Sequence, residues 1–263
     1  RFGTLLQTSV VLFSVRTLLR SRQHRVLLSF CLGSGLAIVL AYVKTALDLQ
    51  RLLHRATGGA ADVSFFVASL WAMCFAILGV RFVISMPHML RANWIFRMTE
   101  IHSVTAYLAA IRRSLWVLAV TPVWLFFCIF FLLRWPAWPI VGHLVLLGLV
   151  GAIVVELSLY GFHKLPFTCS WLPGQPKVRL VSWGCLLVLV PPIAGGLEKR
   201  RLDQPLGYVC MFVLLACIAA YVRWRTVASA RSAEGLIFEE EYRPELFSLN
   251  LPRNESIPLP LSA

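Results

Sequence analysis

Hydrophobic positions in this chain do not alternate and do not recur only at helical spacing; they come in long, almost charge-free runs separated by short basic stretches. A transmembrane helix needs about 20 mostly apolar residues. Six runs approach that length: Val26 to Val43, Val63 to Val80, Leu115 to Leu133, Pro139 to Tyr160, Leu180 to Gly196 and Leu206 to Val222. Strands of a membrane barrel would be shorter and alternating, so helices are the consistent choice. The pattern predicts an all-α, polytopic membrane protein, a six-transmembrane-helix bundle. Its parts are an N-terminal basic juxtamembrane segment (1–25), the transmembrane domain (26–222) and a cytoplasmic tail (223–263).

Composition agrees. Of 263 residues, 59% are hydrophobic and 14% charged, against about 25% charged in a typical soluble domain. Mean hydropathy is +0.76. That excludes a disordered chain, and the seven cysteines lie mostly within the runs, where thiols pack as small apolar groups rather than form a disulfide scaffold. All charged residues except Glu156 fall outside the six runs, and eighteen of the 25 lysines and arginines lie on the side of the two termini. The positive-inside rule then places both termini in the cytoplasm. It also accounts for the net charge of +13, with the lipid bilayer and its anionic headgroups as the partner rather than nucleic acid. Arg1 stands where an initiator methionine would, which implies a fragment or trimmed terminus. The stretch from Phe2 to Leu19 reads equally as an interfacial helix or as the remnant of a preceding hydrophobic one.

Candidate chemistry is sparse. The phosphate-cradling GxxxxGK[ST] loop, HExxH, GxSxG and GxGxxG are absent, so no catalytic residue, metal ligand or cofactor is assigned, and nucleotide energy would come from a partner. Glu156 and His143 are the intramembrane polar candidates. Glu156 lies about one turn from the cytoplasmic end of its run. It either reaches the interface or pairs with a cytoplasmic arginine or His163, or else contacts a proton or substrate. His143 precedes it by 13 residues, placing the two roughly 140° apart on the helix, so they do not form one site. Gly148 and Ala152 have the spacing that lets helices approach closely, inside the bundle or in a homodimer. Pro122, Pro191 and Pro192 are helix-break candidates, because proline removes a backbone donor. A membrane-embedded enzyme acting on lipid would need a cluster of polar residues at one depth, and the linear sequence shows none.

Between the second and third runs, residues 87–113 predict an amphipathic cytoplasmic helix. Leu90, Trp94, Met98, Ile101 and Leu108 share a face, and Arg91, Arg97, Glu100, Arg112 and Arg113 supply charge. It either lies on headgroups or presents a surface to a cytoplasmic partner. Arg91, Trp94, Arg97 and Glu100 are the partner-coupling candidates. The tail from Ala233, with Glu239-Glu240-Glu241 and four prolines, reads as poorly ordered.

Six spans preceded by an N-terminal segment, with an amphipathic helix between spans two and three, resemble the transmembrane subunit of ABC-2 type exporters. The runs Arg20 to Arg25, Arg91 to Arg97 and Leu165 to Ser170 are similar to segments of uncharacterised bacterial multi-pass proteins that look like such permeases. The resemblance implies a permease-like subunit in the bacterial inner membrane. It would move a hydrophobic or amphiphilic substrate outward, energised by a separate ATP-binding subunit docked on residues 87–113. The stretch from Leu197 to Pro205 is too short for the re-entrant helices such exporters carry. The alternative is a non-catalytic structural or assembly subunit of a larger membrane complex.

Overall fold

The computed structural model describes residues 5–52, 60–86, 104–134, 137–160, 189–200 and 204–232, all of them helical or in the turns that end helices. In chain order these are α1 (Leu5–Arg20), α2 (Arg22–Leu52), α3 (Ala60–Ile84), α4 (Val104–Leu115), a π turn (Trp116–Val120), α5 (Thr121–Arg134), α6 (Ala137–Leu159), α7 (189–200) and α8 (Pro205–Arg231). Five stretches are long and apolar enough to cross a membrane: Arg22–Leu49, Val63–Ile84, Val104–Arg134, Ile140–Leu159 and Leu206–Arg231. The chain is thus a multi-pass, all-helical membrane protein over its described part. The fifth run of the sequence, 180–196, falls partly outside the described residues. Its end lies in α7.

The first and last spans run beyond their apolar runs, and one further boundary and one predicted break differ from the sequence pattern for physical reasons. The third span starts at Val104, about three turns before the end of the basic stretch that the pattern assigns to a loop. Arg112 does not end the apolar segment, because its charge is neutralised inside the bundle. Pro122 does not break its helix either. The π turn comes immediately before it, with Thr121 N–H bonded to the carbonyl of Trp116, so the hydrogen-bond ladder adjusts just ahead of the missing proline donor.

α3 and α6 form the centre. Leu70, Met73, Ile77, Val83 and Ile84 of α3 and Leu146, Leu147, Val155 and Leu159 of α6 are buried together with Ile111 and Leu115 of α4. α2 packs along α3, α1 along α4, and α8 along α6. Close approach depends on glycine at a few points. A Cβ at Gly35 would lie 2.7 Å from Phe75 of α3, and one at Gly195 of α7 would lie 2.6 Å from Val67 of α3. The outer helices keep large apolar side chains exposed, as a lipid-facing surface requires: Phe30, Leu36 and Leu40 on α2, and Leu206, Val213 and Leu214 on α8.

α1 and α2 meet at a single non-helical residue, Ser21, which occupies an N-cap position for α2. Its hydroxyl lies 2.8 Å from His24 Nδ1, and His24 Nε2 lies 3.3 Å from the carbonyl of Met86 at the end of α3. α1 is a helix with Ser14, Thr17 and Leu18 buried and Leu12, Phe13 and Leu19 exposed, and it is not among the five candidate spans.

Glycine at the α2–α3 contact gives a stability test. Gly35→Val should destabilise the bundle by about 1–3 kcal/mol through overpacking against Phe75. Gly33→Val, where a Cβ meets open space, should change it far less. Reversible unfolding in mixed detergent micelles reads the difference.

Candidate functional site

α6 carries two ionisable side chains near opposite ends, His143 and Glu156, both buried and separated by about 20 Å along the axis. Neither is left alone. In an apolar environment an unpaired charge is far more costly than a paired one, so each position depends on what other helices bring to it.

At the Glu156 end the partner is Arg112 of α4. Its Nη2 donates to Glu156 Oε2 at 2.9 Å, and its Nε faces Oε1 as the second arm of the ion pair. Both side chains are buried, so an arginine of the basic stretch lies inside the bundle rather than in a loop. Around it, the Thr226 hydroxyl of α8 donates to the carbonyl of Val222 at 2.9 Å and lies 3.3 Å from that of Glu156, and Arg81 Nε of α3 donates to the carbonyl of Ser158 at 3.2 Å. Three helices are thereby bound to the last turn of α6.

At the other end His143 sits in a four-residue network drawn from four helices. Its Nδ1 lies 2.9 Å and 3.1 Å from the two carboxylate oxygens of Glu198 on α7, and its Nε2 lies 2.8 Å from Ser69 Oγ on α3. Tyr208 of α8 donates its hydroxyl to Glu198 Oε1 at 3.1 Å. Ser69, His143 and Glu198 are fully buried. Phe66 stacks flat on the imidazole, ring centres 4.2 Å apart, and Phe131 of α5 meets it edge-on at 5.1 Å. Two glycines make room: a Cβ on Gly142 would collide with the Tyr208 ring, and Gly195, one turn before Glu198, lets α7 seat against α3.

Glu198 is the residue the linear reading misses. It stands beside Lys199 and Arg200, both exposed, and its run of charge reads as an external loop. α7 instead turns Glu198 inward while its basic neighbours stay outside. The signal that could have found it is spacing: Pro191 to Gly196 can continue as a helix, which would carry Glu198 about half a turn past the apolar run. With Glu198 in place, a polar cluster at one depth exists.

The remaining candidates separate. His143 and Glu156 belong to different clusters. Pro191 is buried and Pro192 half-buried within α7, and Pro122 follows the π turn. Arg91, Trp94, Arg97 and Glu100 lie outside the described residues, as does the amphipathic segment 87–103 that contains them. Gly151 of α6 packs within the chain, its Cβ position 3.4 Å from Val120 and 3.5 Å from Met73. Among the described residues no three of His, Cys, Asp and Glu come together as a metal site.

Ser69, His143 and Glu198 have the connectivity of a serine-histidine-acid relay. Hydrolysis needs more. Ser69 lies in the interior of α3, whose backbone N–H groups are consumed by the helix and so supply no oxyanion donors, and its hydroxyl is fully buried. What the geometry supplies is a hydrogen-bonded chain around one imidazole. No protein-family model, curated protein or solved structure matches the chain.

The Arg112–Glu156 pair predicts a non-additive response. Glu156→Ala should cost about 3–5 kcal/mol by leaving Arg112 buried without a counter-charge, while the double variant Arg112→Met/Glu156→Leu should recover most of that loss. A double-mutant cycle in the same unfolding assay measures the coupling.

Proposed function

We propose that the chain is a permease-type subunit of the bacterial inner membrane, both termini cytoplasmic, that moves a hydrophobic or amphiphilic substrate outward with energy from a separate ATP-binding subunit. One observation supports a transport role most. Ionisable groups are buried at both ends of α6, each held by side chains from other helices. Ionisable residues inside membrane bundles are costly and commonly mark substrate or ion pathways. α6 is well placed to couple them, since it packs against α3, α5 and α8. The resemblance to ABC-2 permeases adds the external ATPase and its docking face at Arg91, Trp94, Arg97 and Glu100.

A second reading has its own support. The most apolar stretch of α8 has no buried residue, with Val209, Val213 and Leu214 exposed on it, which suits a structural or assembly subunit whose α8 packs on another membrane protein.

Purification from native membranes in mild detergent separates the readings. The permease predicts co-purification of an ATP-binding subunit whose ATPase activity falls several-fold on charge reversal at Arg91 and Arg97. Recovery of a stoichiometric complex with no nucleotide-binding member overturns it in favour of the assembly reading.

A further inference from the structure

The hydroxyl of Ser69 touches two partners. It lies 2.7 Å from the carbonyl of Phe66 in its own helix and 2.8 Å from His143 Nε2. A hydroxyl has one proton, and a carbonyl oxygen only accepts. If Nε2 were unprotonated it too would only accept, and one of these two short contacts would have no hydrogen to hold it. If Nε2 carries a proton, it donates to Ser69 Oγ and Ser69 donates to Phe66, and both contacts are satisfied. Nδ1 faces the Glu198 carboxyl, so a proton lies between them, on Nδ1 when the carboxyl is ionised. The hydrogen-bond count closes with both ring nitrogens protonated.

The surroundings favour the same state. An imidazolium beside the Glu198 carboxylate forms a net-neutral pair, whereas a neutral imidazole leaves the carboxylate as an uncompensated buried charge. Tyr208 donates its hydroxyl to Glu198 Oε1 as a further partner of that carboxyl. The flat stacking of Phe66 places the face of an aromatic ring over the cation. Among the described residues, the facing groups from the helices packed here are Ser69 and Phe66 of α3, Phe131 of α5, Glu198 of α7 and Tyr208 of α8. Arg112 and Glu156 sit at the other end of α6, and Lys199 and Arg200 are exposed.

We propose that Ser69, His143, Glu198 and Tyr208 form an intramembrane proton-binding site, occupied here as an imidazolium–carboxylate pair, whose proton is released when α7 withdraws Glu198. The released species is the Nδ1 proton, which loses its acceptor as Glu198 leaves, so neutral His143 keeps donating through Nε2 to Ser69 Oγ. α7 is the element whose seating decides whether Glu198 reaches the ring. It is bound to α3 through the close approach of Gly195 to Val67, and Glu198 is carried one turn further along it. The site depends on no ATPase and stands apart from the permease reading.

Nitrogen-15 NMR of histidine-labelled full-length chain in lipid nanodiscs tests this, with His143 assigned by difference against His143→Gln. At about pH 8, free histidine, with a pKa of about 6.5, is almost wholly neutral. Both His143 ring nitrogens should carry a proton in the wild-type chain, as the hydrogen-bond count requires. Glu198→Gln should return the ring to a neutral tautomer. Gly195→Val, which pushes α7 off Val67 without touching the network, should do the same while helix content by circular dichroism stays unchanged. A neutral imidazole in the wild-type chain at about pH 6 to 8 overturns the proton site. A doubly protonated ring that persists in Gly195→Val overturns the role of α7.

Discussion

Lipid offers no hydrogen bonds and little screening, so a charge placed inside an apolar bundle must find its counter-charge on another helix. Most of the specific geometry of this protein follows from that requirement as it acts on α6. Glu156 draws Arg112 of α4 inward, and His143 draws Glu198 of α7, Ser69 of α3 and Tyr208 of α8 around one ring. Apolar packing alone would allow helices of such uniform hydrophobicity to rotate and slide. Two polar clusters about 20 Å apart on one helix set both its rotation and its depth.

The clusters differ in kind. The Arg112–Glu156 pair is a guanidinium against a carboxylate, and Arg112 stays charged at any physiological pH. It is bound to the last turn of α6 and fixes α4 there. The His143 cluster is built around the one side-chain type whose charge ordinarily changes near neutrality, with a phenylalanine stacked on the ring and a serine hydroxyl on the far nitrogen. One end of α6 is held by a guanidinium–carboxylate pair and the other by a ring whose nitrogens face a carboxyl and a hydroxyl.

Glycine and proline serve the same arrangement. Gly142 and Gly195 remove side-chain volume where Tyr208 and Val67 must come close. Pro122, which would ordinarily interrupt a helix, is accommodated by the π turn, and the adjoining Val120 packs toward Gly151 of α6. The outer helices α2 and α8 are under fewer such constraints and keep broad apolar faces exposed.

Much of the membrane architecture was legible along the chain, because the cost of burying unpaired charge sorts residues by position: apolar runs become spans and basic stretches become their borders. The all-helical class and the approximate position of the five described spans follow from that rule, the first, third and last of them running well beyond their apolar runs. The rule fails where a charge is paired through space. Arg112 and Glu198 look like loop residues because each lies in a basic or mixed-charge stretch, and their partners are 44 and 55 residues away. No local pattern encodes a pairing at that range. Local sequence determined which segments enter the membrane, through the free energy of transferring each side chain one at a time. Only the tertiary structure decided which charges enter with them, because that depends on the energy of pairs that exist solely once the helices have packed.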